Sequence, residues 1–541
     1  MTSHEFLVVG SGATGAMAAQ TLLEGGARVL MIDGGQADPE YAATVPELPF
    51  VELRRRDDEQ RRYFLGEEFE GAMQLSTAAG AQLTPPRRFV VAGVERFLPL
   101  RSASFFPIES LALGGLGSAW GLGCNVFSEA ELLRASLPPA AMTAAYGVVA
   151  GRVGISGEAD DARPYTFGTI DGIDPATPLD PTAAVLHRRY AARRAQMQRA
   201  GFYLGRPALA LLTRERAERH ATSLRDMDFY SDAERAAWRP WITIERLKRS
   251  PNFAYAGNLL ATRFEATDGS VELFALDMRT LEERRFSCRR LVLAAGTLGT
   301  SRIVLRSQGG DARLPLLCNA YTYIPCVVPG RAGKSMPDAN LGLAQLQLFH
   351  DAGAAGADVA QASIYTYRSL LLFRLLREIP LAIADGARLA RFLISGLLIA
   401  GIHHPADYSE HKRLWLEADS GSPTRDRLGA EYAFTHEELR AYERRERAYE
   451  RALFQLGAWP VRRIRPPAGA SIHYAGTLLR DRGDPRYRLS PDGRLGETRG
   501  VYVADGSGFT YLPAKGLTLT LMANAHRVAL GLLGATPAAR P

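Results

Sequence analysis

Two rhythms of apolar residues run along the 541-residue chain. The first is the unbroken run. Phe6-Leu7-Val8-Val9 has no polar interruption, which predicts a strand covered on both faces, as in the centre of a parallel sheet. An Ala-rich helix follows to about Glu24, and a second strand spans Arg28 to Ile32. Arg290 to Ala295 and Gly500 to Ala504 are further strands of this kind; the first leads through Gly296 into a helix at Thr297–Ser301, and the second closes on Asp505. The second rhythm is alternation with period two, the mark of a strand with one buried face. It appears in Ala320–Pro325 and in Leu343–Leu348. Arg440–Arg451 is a charged helical stretch, read chiefly as a solvated face and secondarily as a docking surface. Buried strands near the start, middle and end, with alternating strands between them, predict an α/β chain that also carries an antiparallel sheet.

The segment from Ile364 to Ile402 breaks both rhythms. Ser369–Ile379 reads as an apolar helix, which Pro380 breaks or restarts. Beyond it Asp385, Arg388, Arg391 and Ser395 make one narrow polar stripe among apolar residues. A membrane span needs about twenty apolar residues, whereas the longest uncharged run here, Phe392 to Ile402, has eleven. Three readings stay open: a buried core hairpin, a lid on an apolar substrate entrance, and a monotopic surface that dips into lipid. The last two imply a bulky, apolar substrate and a peripheral membrane or carrier contact through residues 364–402. His403-His404 is an adjacent pair that places two imidazoles poorly on one ion, so no metal site is expected.

The first apolar run feeds Gly10-Ser11-Gly12-Ala13-Thr14-Gly15. This is GxGxxG in its working context, between a strand and a helix. Gly10 allows the tight turn, Gly12 lets backbone approach a pyrophosphate, and Gly15 lets helix pack on strand. Ala13 and Thr14 sit where the helix N-terminus offers amide donors to phosphate. Asp33, 23 residues beyond Gly10, is placed for a ribose hydroxyl pair, with Gly34 beside it. Gly296 and the Asp505-Gly506 pair end later strands where a flavin dinucleotide is contacted, so FAD is preferred over a nicotinamide.

Composition adds limits. Hydrophobic residues make up 46% and charged residues 23%, an ordinary globular balance. The net charge of +7 raises nucleic acid, but only Lys248, Lys334, Lys412 and Lys515 are lysines and the arginines are scattered. No arginine–aromatic stripe accompanies them, and nucleic acid is excluded as a partner. Cys124, Cys288, Cys318 and Cys326 form neither a CxxC nor a zinc spacing. A reduced, cytoplasmic setting is expected, and Met1–Glu5 shows no export signal.

Three blocks resemble the glucose–methanol–choline (GMC) oxidoreductase family. The first is the N-terminal fingerprint. The second is Leu113-Gly114-Gly115-Leu116-Gly117-Ser118-Ala119-Trp120-Gly121, similar to the family's glycine-rich segment beside the isoalloxazine ring. The third runs from Ser471-Ile472-His473-Tyr474-Ala475-Gly476-Thr477 to Asp505-Gly506-Ser507, then Pro513 and Thr518 to Ala523, matching the family's closing pattern. The resemblance covers about half the chain. It implies a Rossmann-like, discontinuous FAD-binding domain over 1–160, 241–312 and 465–541. A substrate domain of α+β type, with an antiparallel sheet over the flavin, is expected over 161–240 and 313–464. A prior of ~150 residues per domain suggests three or four units; the motif positions reduce that to two interleaved ones.

The resemblance also implies roles. FAD contacts are expected from the fingerprint residues, Asp33 and Gly34, from Gly115, Gly117 and Ser118, and from Gly296, Asp505, Gly506 and Thr518. His473 aligns with the family's base, which takes a hydroxyl proton while hydride leaves carbon for flavin N5. The family's second catalytic His or Asn aligns with Gly516, which has no side chain; Lys515, Tyr511 or Asn524 are the candidates to compensate. The position of the family's covalent flavin link is about Ala119, and no histidine lies between His4 and His187, so FAD is expected to be non-covalent. The leading expectation is oxidation of a bulky, partly apolar alcohol, such as a lipid-like or secondary-metabolite intermediate. A same-fold flavoprotein with lyase or decarboxylase chemistry is the alternative, kept open by Gly516. A binding or scaffolding protein is the third.

Overall fold

The computed structural model of the chain describes residues 4–37, 48, 50–59, 85–225, 232–337, 342–352, 356, 358–366 and 382–534. It is a mixed α/β structure built on two large sheets. The first contains five parallel strands. His4–Val9 lies between Val29–Ile32 and Glu283–Leu293, with Phe6 opposite both Val29 and Arg290. Phe253–Ala256 flanks Val29–Ile32, and Val501–Val503 flanks Leu291–Leu293. Numbered along the chain, the parallel strands therefore lie in the order 3-2-1-4-5. The order reverses between His4–Val9 and Leu291–Leu293, and a reversal of this kind opens a crevice at the carboxyl ends of the strands. The amino-terminal half of Glu283–Leu293 extends the sheet with antiparallel partners, Val271–Asp277 and Leu259–Ala266.

The unbroken apolar run at Phe6–Val9 is explained by two covered faces. Phe6 and Val8 face helices Ala13–Glu24 and Thr518–Leu532, among Met17, Met522 and Ala523. Leu7 and Val9 face the opposite side, where Leu298 and Ile303 of helix Gly296–Ser307 pack.

The second sheet has six antiparallel strands in the order Trp459–Pro460, Tyr321–Val327, Leu397–His403, Val359–Thr366, Leu346–Asp351, Phe202–Gly205. Its two faces differ in chemistry. Ile324, Leu398, Ala400, Ile402, Ala362 and Leu348 turn into a core closed by Leu186 and Tyr190 of helix Pro181–Arg199 and by Tyr449 and Leu453 of helix His436–Gln455. The other face carries Tyr321, Tyr323, Gln361, Ser363, Gln347 and His403, which line a cavity. The alternation read at 320–325 and 343–348 thus belongs to real strands. The second of these strands begins three residues later than the periodicity placed it.

One sequence reading is corrected. The charged helix is not simply solvated: Glu446 is wholly buried, accepting from Thr322 Oγ1 at 2.7 Å and from Arg465 Nε at 2.8 Å. Within 364–402, Leu397–His403 is a central strand that turns Leu398, Ala400 and Ile402 into the core, as the core reading expects, while Ile399 lines the cavity. Helix Ile383–Leu393 lies at the surface with Leu389 and Phe392 exposed. The expected Ser369–Ile379 helix falls outside the described residues. Among the described residues, no helix is long and apolar enough to cross a membrane.

Candidate functional site

The crevice at the strand ends continues under the polar face of the second sheet as one cavity of about 650 Å³. Its first wall is the glycine-rich turn. Gly10 has φ +99°, and a Cβ there would lie 2.5 Å from the Ala294 carbonyl oxygen, so only glycine turns the chain at this point. A Cβ on Gly15 would lie 1.9 Å from the Gly10 carbonyl oxygen; its absence seats helix on strand. Gly10, Gly12, Ala13 and Thr14 line the cavity, whereas Gly15 acts behind the wall. The helix start at Gly12 has no side-chain cap and no acidic residue in its first turn. Its amides and positive dipole end therefore meet the cavity with no side-chain cap among the described residues.

Asp33 and Gly34 form one end. Asp33 is buried and accepts from Ser11 N at 3.1 Å, Ser11 Oγ at 2.5 Å and Tyr255 hydroxyl at 3.0 Å. Burial raises its carboxyl above the ordinary value, and the bonds from Ser11 and Tyr255 oppose that rise. The Ser11 hydroxyl also accepts from Gly114 N at 2.8 Å, tying the second glycine-rich segment to the first. Gly115 and Gly117 line the cavity; Ser118 does not, and its hydroxyl instead donates to the Leu113 carbonyl at 2.8 Å, closing the turn. Further along stand Gly296, Gly506, Thr518 and Asp505, whose carboxylate accepts from Thr300 Oγ1 at 2.6 Å and from Ser507 N at 3.0 Å.

His473 stands at the other end, at the cavity wall. Its tautomer follows from its neighbour. Asn319 donates its Nδ2 to the carbonyls of His404, at 2.7 Å, and Pro513, at 3.0 Å. That fixes Asn319 Oδ1 as the acceptor, 3.1 Å from His473 Nδ1. The Nδ1 therefore carries the hydrogen, and Nε2 keeps its lone pair. Burial pulls the imidazole down to about 4, so it is neutral at pH 7.

A second imidazole faces it. The rings of His403 and His473 stack with centroids 4.9 Å apart and planes 7° off parallel. His403 lines the same cavity, and its buried Nδ1 has no partner. Burial, then the charges of His473 and His404, hold it well below the ordinary histidine range. Two stacked imidazoles this close are not both charged imidazolium.

Gly516 lines the cavity between Gln361 and Asn125. Its N–H donates to Gln361 Oε1 at 3.1 Å, and a Cβ on it would lie 3.1 Å from Asn125 Nδ2. None of the three residues expected to compensate for it lines the cavity. Asn524 stands away from the cavity lining: its Oδ1 accepts from Arg527 Nη2 at 2.8 Å, inside the final helix. Lys515 is buried in an ion pair with Glu131 at 2.7 Å. Tyr511 lies under the Arg134 guanidinium, 3.7 Å from the ring centroid. Each of the three is engaged elsewhere.

With the geometry complete, the chain can be set beside known proteins. Its fold is similar to that of a solved enzyme. The crystal structure of pyridoxine 4-oxidase from Mesorbium loti aligns with a TM-score of 0.55, covering 99% of this chain and all of the other at 15% identity. No protein-family model matches the sequence, and no curated protein matches it.

Sequence reasoning missed Asn319, His403, Gln361, Asn125 and Tyr255. A signal existed for some of them. Gln361, Ser363 and Tyr365 alternate with Ala362 and Ile364, a period-two pattern with polar residues on one side. His403 was weighed only with His404 as a metal pair, but the strand turns their side chains to opposite faces. Among the described residues, no group of three or more His, Cys, Asp or Glu is placed to hold a metal ion.

Proposed function

We propose that this protein is an FAD-dependent oxidoreductase that oxidises an alcohol group of a partly apolar substrate. The observation that carries the reading is His473: a neutral imidazole of fixed tautomer in the wall of the same cavity that an uncapped helix N-terminus lines. The residues present fit FAD. The free amides of Gly12 to Thr14 suit its pyrophosphate, and Asp33 suits a ribose. A Cβ on Gly296 would meet nothing within 4 Å, so the bare backbone leaves room for the cofactor along the wall. Ala119 offers no covalent link, and the FAD is non-covalent.

Bound FAD supplies the two-electron acceptor, a ring nitrogen that takes hydride. The protein's part is proton handling. His473 Nε2 takes the hydroxyl proton as the carbon–hydrogen bond breaks, and the alcohol becomes a carbonyl. Asn319 keeps the Nδ1–H in place, so the base cannot turn its donor towards the substrate. His403, stacked on the ring, disfavours a second proton and returns the pair to neutrality. Tyr321 and Tyr323 offer ring surface for the apolar part of the substrate.

The test starts with the visible spectrum of the purified protein. Acid precipitation should release the yellow chromophore. Anaerobic mixing with a panel of alcohols should bleach it, and His473→Ala should retain flavin but lose bleaching. Turnover that survives this change would refute the base assignment. The lyase or decarboxylase reading, which the bare Gly516 favours, gives product with no bleaching.

A further inference from the structure

Four residues of this one cavity lining each carry a buried polar atom with no partner among the described residues: Asn125 Oδ1, Gln347 Oε1, Thr366 Oγ1 and His403 Nδ1. The orientation of Asn125 is fixed by a relay. The Gly516 N–H is a donor only, so the Gln361 atom facing it at 3.1 Å is the oxygen. Asn125 must then present Nδ2 to the same oxygen, at 2.8 Å, which leaves its Oδ1 as a fixed acceptor. Gln361 Nε2 donates in turn to Ser363 Oγ at 2.7 Å. Ser363 sits opposite Gln347 in the sheet. The Asn125 and Gln347 side chains, 0% and 1% exposed, thus flank a single hydrogen-bonded row. The backbone behind Asn125 is held by Cys124 N to the Ala208 carbonyl and Val126 N to the Thr166 carbonyl, at 2.8 and 2.7 Å.

A buried carbonyl oxygen without a donor is costly, and two in one cavity wall call for a ligand that supplies the donors. Asn125 also occupies the space beside Gly516 into which a side chain at that position would grow. We infer that Asn125, brought from a different part of the chain, takes the place left empty at Gly516, and that with Gln347 it reads hydrogen-bond donors on the substrate beside the carbon being oxidised. The substrate class is an alcohol with at least one further hydroxyl or ammonium group close to the reacting one. This rests on the functional reading above but is testable without turnover.

The protein as purified is titrated by calorimetry with matched probes: cyclohexanol, cis-cyclohexane-1,2-diol and 2-aminocyclohexanol, and the same three on a benzyl alcohol frame. The diols or amino alcohols should bind at least about tenfold more tightly than the mono-ols. Preference for the diol identifies hydroxyl donors, and preference for the amino alcohol identifies ammonium. Asn125→Leu and Gln347→Met should each bring the ratio below threefold; Gln347→Met keeps the side-chain length and guards against misfolding at Asn125. Equal binding of mono-ol and donor-bearing probe, a ratio that survives both substitutions, or no binding of any donor-bearing probe overturns the inference. A ratio that behaves as expected without flavin bleaching keeps the inference and rejects oxidation.

Discussion

Acidification isolates the role assigned to His473. Its imidazole is drawn from the ordinary 6.5 to about 4 by burial, so protonating it in the fold costs roughly 3 kcal/mol more than in water. The base is active when neutral. The rate of anaerobic flavin reduction should therefore stay level from pH 8 down to about 5, and fall tenfold per unit only below about 4. The measurement is stopped-flow bleaching after a pH jump, recorded before acid unfolding sets in, with the most reactive alcohol of the panel. Hydrogen bonding to Asn319 does not reverse this, because Asn319 Oδ1 accepts from Nδ1 in either protonation state. A midpoint near 6.5 would refute the reasoning: it would mean either that the imidazole is solvated or that another group is the base. His473→Gln should lower the rate by about 10²–10⁴, the usual worth of a positioned acid–base group.

Other outcomes follow from the same structure. His473 and His526, both held near 4, are neutral in the fold. Their stabilisation is complete above pH 6.5 and is lost as pH falls from there towards 4, up to roughly 3 kcal/mol each; urea unfolding at pH 7 and 5 measures it, and His526→Gln should reduce the difference. Gly15→Ala forces a methyl into backbone, and should cost well over 3 kcal/mol and abolish flavin content, read as the 450 to 280 nm absorbance ratio. Lys515→Met strands the buried Glu131 carboxylate and should destabilise by about 3–5 kcal/mol in calorimetry, whereas a catalytic lysine would change the rate at unchanged stability. Asn524→Ala should lower thermal stability by only about 1 °C, consistent with a loss of about 1 kcal/mol in a chain of this size, and leave bleaching within twofold; a hundredfold loss of rate would return it to the site.

What the sequence settled alone is local. The turn at Gly10 to Gly15 is legible within six residues: the positive φ of Gly10 and the contact of Gly15 with the Gly10 carbonyl both belong to the strand–turn–helix unit itself. The unbroken run at Phe6–Val9 announced two covered faces, and the residue types at 113–121 and 471–477 marked segments that do line the cavity. Period-two alternation identified strands in the middle of the chain but not which face met the cavity. That depends on which partner covers the other face, and here two helices, Pro181–Arg199 and His436–Gln455, took the apolar side. Only the tertiary structure decided the chemistry of the reacting end. Asn319 reaches His473 across 154 residues of sequence, Asn125 reaches Gln361 across 236, and His403 comes from another strand altogether. No local pattern encodes such meetings, because a side chain's partner across the fold leaves no spacing in the sequence. The missing residue at Gly516 looked like lost chemistry when read along the chain; in the fold, the amide side chains of Asn125 and Gln361 stand beside it.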